Sequence, residues 1–165
     1  MSDTAPAEIR ALVADPSTHM AGLVTLMLHT LKIRAVDEAI DLRRAATALS
    51  RRPYNIVLID EQLGGEQDFE LIRTLRRTAD HPNRTTPIIM MAAVPTAETI
   101  KAARDAGITE FLRKPFSAQH IQLRLDSIRN APRDFVESDI YAGPDRRRRE
   151  LSGQPKRRSA DGSTG

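Results

Sequence analysis

Asn55–Asp60 reads NIVLID, an uninterrupted apolar run that ends in an acid. Nothing alternates in it, so neither face of the segment is built to meet water. A strand buried on both faces belongs to a parallel sheet covered by helices. Toward the N-terminus, Ile9–Ala14 is a second apolar run, closed by Asp15-Pro16. Toward the C-terminus, Pro87–Ala92 and Ile108–Arg113 are two more, the last followed by Lys114. Ile33–Val36 is a weaker strand candidate.

The segments between these runs carry helical spacing. Ser17 can cap a helix in which Met20, Leu23, Val24, Met27, Leu28 and Leu31 recur at three- and four-residue steps. A second helix is expected over about 38–51, closed by Pro53. Gly64-Gly65 makes a flexible loop before a helix marked by Phe69, Ile72 and Leu75. A fourth runs over about 96–106 to a stop at Gly107, and Ser117 opens a fifth with Ile121, Leu125 and Ile128. Five strands alternating with five helices predict an α/β fold, a doubly wound five-stranded parallel sheet joined by right-handed crossovers. Sites in such sheets lie at the carboxyl ends of the strands. The polar residues there are Asp15, Asp60 and Lys114.

A chain of 165 residues has room for one domain of about 120 residues and an appendage. The expected organisation is a flexible N-terminus over 1–7, a domain over 8–130 and an arginine-rich tail over 131–165, disordered when free. No apolar run reaches the roughly 18 residues of a membrane span, and Met1–Ala7 has no secretory character. Cysteine is absent, which excludes disulfides and thiolate metal sites. A cytoplasmic protein is expected. Residues 1–128 hold equal numbers of acids and bases, so the whole formal charge of +3 falls in 129–165. That asymmetry assigns any anionic partner to the tail.

With these residues in place, the chain over about 8–130 resembles the receiver domains of two-component response regulators, flavodoxin-like in fold. The resemblance implies that Asp60 is the phosphoacceptor, that Lys114 pairs with the phosphoryl group, and that Pro115 is the proline that follows it. It also implies that Asp15 and Asp60, with the backbone of Gln62, hold magnesium. The residue types suit the chemistry: carboxylates to bind Mg²⁺ and accept a phosphoryl group, and a cation to neutralise it. The departures are specific. Ala14-Asp15 replaces the usual pair of acids, Ala92 replaces the hydroxyl residue that ends the fourth strand, and Asp68 stands where glycine is common. Without that hydroxyl, Phe111 has no switch partner of the usual kind. Phosphorylation of Asp60 is therefore expected to contribute little to output: a retained acid paired with Lys114 is the favoured reading, and a working phospho-switch is the alternative.

The tail reads DFVESDIYAGPDRRRR over Asp134–Arg149. A basic run of this kind ordinarily solubilises or attracts polyanions. Here, however, every cation from Arg146 to Arg149 is arginine, whose planar fork matches guanine O6 and N7. Asp145 can accept from the N1–H and N2–H₂ edge of guanine, and Phe135 and Tyr141 are aromatics of the kind on which bases stack. The stretch from Tyr141 to Arg149, with Arg133 upstream, resembles the Cle proteins, CheY-like effectors of cyclic di-GMP. This second resemblance implies that Arg133, Phe135, Tyr141, Asp145, Arg146, Arg147, Arg148 and Arg149 bind the nucleotide. It implies further that the receiver docks on the flagellar motor switch protein, tuning motility or attachment, with recruitment to the flagellated pole. A histidine kinase is a further expected partner. The alternative is an ordinary single-domain response regulator, phosphorylated on Asp60, with a merely solubilising tail. Nucleic acid fits poorly, because acids interrupt the tail and no helix-turn-helix follows. No output domain follows either, so no enzyme is expected.

Overall fold

A computed structural model describes residues 7–147. The strands β1 (Arg10–Ala14), β2 (Ala35–Ala39), β3 (Ile56–Asp60), β4 (Ile88–Ala92) and β5 (Glu110–Arg113) form one parallel sheet in the order β2-β1-β3-β4-β5. The helices are α1 (Thr18–Thr30), α2 (Leu42–Arg51), α3 (Glu66–Arg77), α4 (Ala97–Ala106) and α5 (Ala118–Asn130). Period-two alternation divides each strand between two apolar cores. Leu12, Val57, Ile59, Ile88 and Met90 pack with residues of α2, α3 and α4, and Val13, Leu58, Ile89 and Met91 with residues of α1 and α5. The doubly wound fold is as the sequence implies.

The largest boundary shifts are at β2 and α2. β2 lies at 35–39 rather than 33–36, and α2 begins at Leu42 rather than near 38. β2 is an edge strand that tolerates Asp37 and Glu38, a polar pair that reads as helical in sequence. Asp37 earns its place by accepting from the Tyr54 hydroxyl at 2.7 Å. The helix cannot start earlier because Asp41 caps it, accepting from the Arg44 amide at 2.7 Å.

The expectation of an unstructured tail from residue 131 is corrected over 135–144. Here β6 (Phe135–Glu137) and β7 (Ala142–Pro144) pair antiparallel, Phe135 opposite Pro144 and Glu137 opposite Ala142. Strands of three residues leave almost no periodic signal, and an isolated hairpin of this size is marginal in water. Docking supplies the stability: Tyr141 and Ala142 are buried, and β7 lies against α3. The tail's remaining residues beyond 147, and residues 1–6 of the expected flexible N-terminus, lie outside the described residues.

Beneath the hairpin, Arg76 is 0% exposed. Its guanidinium donates to Gly107 O at 2.9 and 3.2 Å, to Arg84 O at 2.7 Å and to Thr86 O at 2.8 Å. Gly107, at φ +114°, ends α4, and a Cβ there would lie 2.8 Å from Arg76 Cγ. Gly143, at φ +156°, sits on Gly107; a Cβ would meet Tyr141 Oη at 2.7 Å and Gly107 Cα at 3.1 Å. Two glycines thus let the hairpin reach the floor formed by Arg76.

Every partner of Arg76 in this set belongs to residues before 131, and both apolar cores of the sheet do too. Residues 1–130 should therefore fold alone in one cooperative transition. They should be less stable than the full chain by on the order of 2 kcal/mol, from re-exposing the Tyr141 contact. Urea unfolding of both chains checks this; a truncated chain with no cooperative transition would make the hairpin part of the core.

A second prediction concerns Asp68 on α3, also 0% exposed, whose Oδ2 accepts from the Gly64 amide at 3.1 Å while Oδ1 has no hydrogen-bond partner among the described residues. Burial, opposed by the Gly64 amide and reinforced by the charge of Asp60, pushes its pKa up from 3.8 to about 6. A raised folded pKa favours the neutral acid, so its contribution is full below pH 3.8 and lost as pH rises through about 6. Asp68→Asn stays neutral, and should be the more stable protein at pH 7.5 by on the order of 2 kcal/mol. That advantage should vanish by pH 4. An advantage equal at both pH values, read by urea unfolding, would remove ionisation as its cause.

Candidate functional site

The parallel register brings the strand ends into line: Ala14 opposite Ile59, Asp60 opposite Met91, and Ala92 opposite Arg113. Asp15 and Lys114 are the residues just after β1 and β5, so the three polar residues singled out in the sequence meet at one rim. Lys114 Nζ donates to Asp60 Oδ2 in a short bond and lies 3.6 Å from Asp15 Oδ2. Asp60 Oδ1 accepts from the Gln62 amide at 2.9 Å, and Asp15 Oδ1 from the Ser17 amide at 2.8 Å. Both acids are buried, at 2% and 1% exposure.

Burial raises the Asp15 pKa, and the Asp60 charge adds to the rise, against the Ser17 amide and Lys114. Burial alone would lower Lys114, but its bond to Asp60 and the two carboxylate charges outweigh that and raise it. Asp15 Oδ2 is buried and has no hydrogen bond. A carboxylate oxygen left this way beside a second carboxylate suits a divalent cation, and Mg²⁺ is commonly held by one or two carboxylates with phosphate and water. Among the described residues no cluster of three metal-ligating side chains exists, so the donor set is the pair Asp15 and Asp60. The contact that Gln62 makes here is its N–H on Asp60.

The fourth-strand position holds Ala92, which gives this rim no hydroxyl; its carbonyl accepts from the Lys114 amide at 2.8 Å. Phe111 is packed against the core on the α2–α3–α4 side. The rim therefore keeps acid and cation, but no side-chain relay from the acid to the aromatic.

A second region lies where the tail meets β5 and α5. The segment after β7 is tied back by the Asp145 amide, which donates to Asp134 O at 2.7 Å. Asp145 Oδ1 in turn accepts from the Arg147 amide at 3.0 Å. A cavity of about 590 Å³ opens there, lined by Arg104, Glu110, Arg124, Arg133, Asp145 and Arg147 among others. Arg133 pairs with Glu110 at 3.6 Å, and Arg124 Nε donates to Phe111 O at 2.7 Å. Of the tail residues expected to bind nucleotide, Arg133, Asp145 and Arg147 share this cavity.

Phe135, Tyr141 and Arg146 do not line it. Arg84 covers the Phe135 ring at 4.8 Å, and Arg146 covers Tyr141 at 4.5 Å while pairing with Asp105 at 2.6 Å. The Tyr141 hydroxyl donates to Pro144 O at 2.6 Å, and burial is the main cause of its raised pKa. Its role in this conformation is to anchor the hairpin, and the planar group above it is the Arg146 guanidinium. Arg148 and Arg149 lie outside the described residues. The sequence reading missed Arg104, Glu110 and Arg124, which are unremarkable helix and strand residues until the tail folds over them.

A family model for the response regulator receiver domain matches residues 11–126. Chemotaxis protein CheY-3 of Vibrio cholerae is 28% identical over 120 residues, covering 73% of this chain and 91% of that protein. Regulatory protein VanRB of Enterococcus faecalis is 29% identical over 120 residues, covering 73% of this chain and 52% of that protein. Among solved structures, chemotaxis protein CheY4 of Vibrio cholerae superposes with a TM-score of 0.66 at 22% identity, over 74% of this chain and 99% of that one. The rim of Asp15, Asp60 and Lys114 thus sits in the fold of which these proteins are examples, and the chain belongs to the response regulator receiver domain family.

Proposed function

We propose that the chain is a non-enzymatic signalling adaptor that binds cyclic di-GMP in the groove between its tail and its β5–α5 face. The observation that carries this reading is the composition of that groove. Arg104, Arg124, Arg133 and Arg147 line it together with Glu110 and Asp145. A plain polyanion needs only the cations. A guanine base needs both kinds of group: arginine forks for O6 and N7, and a carboxylate for N1–H and N2–H₂. The groove volume, about 590 Å³, falls within the usual range for small-ligand sites.

The output is a docking event on the same face. CheY-3 and CheY4 are chemotaxis proteins by name, which supports the flagellar motor switch as the target. A nucleotide seated between tail and β5–α5 face would alter what that face presents. By linkage the motor component would alter nucleotide affinity by the same factor.

A second reading has its own support in the rim, where Lys114 bonds Asp60 and lies 3.6 Å from Asp15 Oδ2, an oxygen with no hydrogen bond among the described residues. This arrangement suits a phosphoryl group on Asp60, with magnesium on Asp15 and Asp60 to supply charge neutralisation and a histidine kinase as the donor. With Ala92 in place of a hydroxyl, such a phosphoryl group would lack the usual link to Phe111, which is why the tail groove is preferred as the control.

Calorimetric titration with cyclic di-GMP, cyclic di-AMP and GTP tests the proposal. Cyclic di-GMP should bind most tightly, and Asp145→Asn should weaken it about tenfold or more by replacing a charge-assisted acceptor. If phosphate attraction were the whole effect, removing that negative charge would tighten binding instead. A tighter Asp145→Asn variant would defeat the base-reading model.

A further inference from the structure

The segment after β7 has a second side. Arg147 lines the groove beside α5, whereas its neighbour Arg146 lines a cavity beside α3 and α4. This separate cavity, of about 260 Å³, is lined by Arg73, Arg77, Asp105, Tyr141 and Arg146 among others. Arg73 and Arg77 are four residues apart on α3 and so share one face. Three guanidinium groups from two elements therefore meet around one opening.

Their present partners are weak competitors. Arg73 lies 3.4 Å from Glu70, whose side chain is 73% exposed, and Arg146 pairs with Asp105, whose side chain is 41% exposed. Exposed pairs of this kind contribute little. Among the described residues Arg77 reaches only the Ile140 carbonyl, at 3.5 Å. Arg76, the neighbour of Arg77 on α3, does not line this cavity; it is fully buried and bonded to carbonyls, and no carboxylate among the described residues pairs with it. A buried cation without a counter-charge favours an anion nearby, because the surrounding dielectric is low.

We infer that this junction of α3, α4 and β7 is a second oxyanion site, distinct from both the Asp60 rim and the α5 groove, that takes the phosphate or pyrophosphate group of a small phosphorylated ligand. The three arginines supply bidentate donors. Arg146, stacked on Tyr141, carries the effect of binding into the hairpin anchor. The oxyanion could be the phosphate of a nucleotide or a free phosphoanion, and the two sources are separable.

The test is titration of the full chain with inorganic pyrophosphate, read by NMR of the tyrosine rings and arginine side chains. The chain has 2 Tyr and no Trp, so the Tyr141 ring is a clean reporter and Tyr54 an internal control. The expected result is a saturable shift of Tyr141 and Arg146 with Tyr54 unmoved. The double variant Arg73→Gln, Arg77→Gln should weaken pyrophosphate about tenfold or more. A parallel titration with cyclic di-GMP identifies the source: weakening in the same variant marks a nucleotide phosphate, and unchanged affinity marks a separate phosphoanion. A chain that ignores cyclic di-GMP but binds pyrophosphate here would refute the proposed function and leave this site standing. A shift that does not saturate, an unmoved Tyr141, or a double variant that binds pyrophosphate as wild type does would overturn the site.

Discussion

The buried guanidinium of Arg76 is the constraint on which the placement of the β6–β7 hairpin and of Arg146 and Arg147 depends. It joins the end of α3 to the loop before β4, through Arg84 O and Thr86 O, and to the turn after α4, through Gly107 O. Burying a cation this way costs solvation, which pulls its pKa down to about 10. Four donations to carbonyls offset that cost, and removing any acceptor would leave charge unsatisfied in the interior. The result is a floor in which Gly107 has no side chain to stand in the way. Gly143 lands on that floor, Tyr141 closes over it, and the tail leaves the hairpin in a set direction.

That direction turns a run of like residues into unlike ones. In an isolated basic tail Arg146 and Arg147 would be interchangeable charges. On this scaffold Arg146 stacks on Tyr141 and pairs with Asp105, while Arg147 lies beyond Asp145 in the groove beside α5. The receiver contributes as much to each cavity as the tail does. The strand-end rim stands apart from both, with its acid and lysine intact and Ala92 where a hydroxyl would have connected Asp60 to Phe111.

The sheet was legible because its central strands are buried on both faces: NIVLID and its counterparts leave few readings open, and Asp15, Asp60 and Lys114 at the carboxyl ends of three runs mark the rim. β2 was misplaced because an edge strand need not be apolar, and Asp37 and Glu38 imitate the polar side of a helix. The hairpin was illegible for a related reason. Its two strands have three residues each, and what stabilises them is a contact with Gly107 and α3 that no local pattern announces. The aromatic residues of the tail were rightly singled out as unusual, yet Tyr141 reads in sequence as a stacking platform and in structure as an anchor. Arg104, Glu110 and Arg124 could not be found from sequence at all, since only the folded tail makes a groove of them.

In the proposed function, receiver and tail together form one nucleotide site. Amide and side-chain shift mapping of the isotopically labelled full chain with cyclic di-GMP tests it most directly. The account predicts that Arg104, Glu110, Arg124, Arg133, Asp145 and Arg147 move together at one affinity, with Asp60 and Lys114 little changed. Shifts confined to residues beyond 147, with the β5–α5 face unmoved, would contradict it and return the tail to an independent arginine-rich peptide.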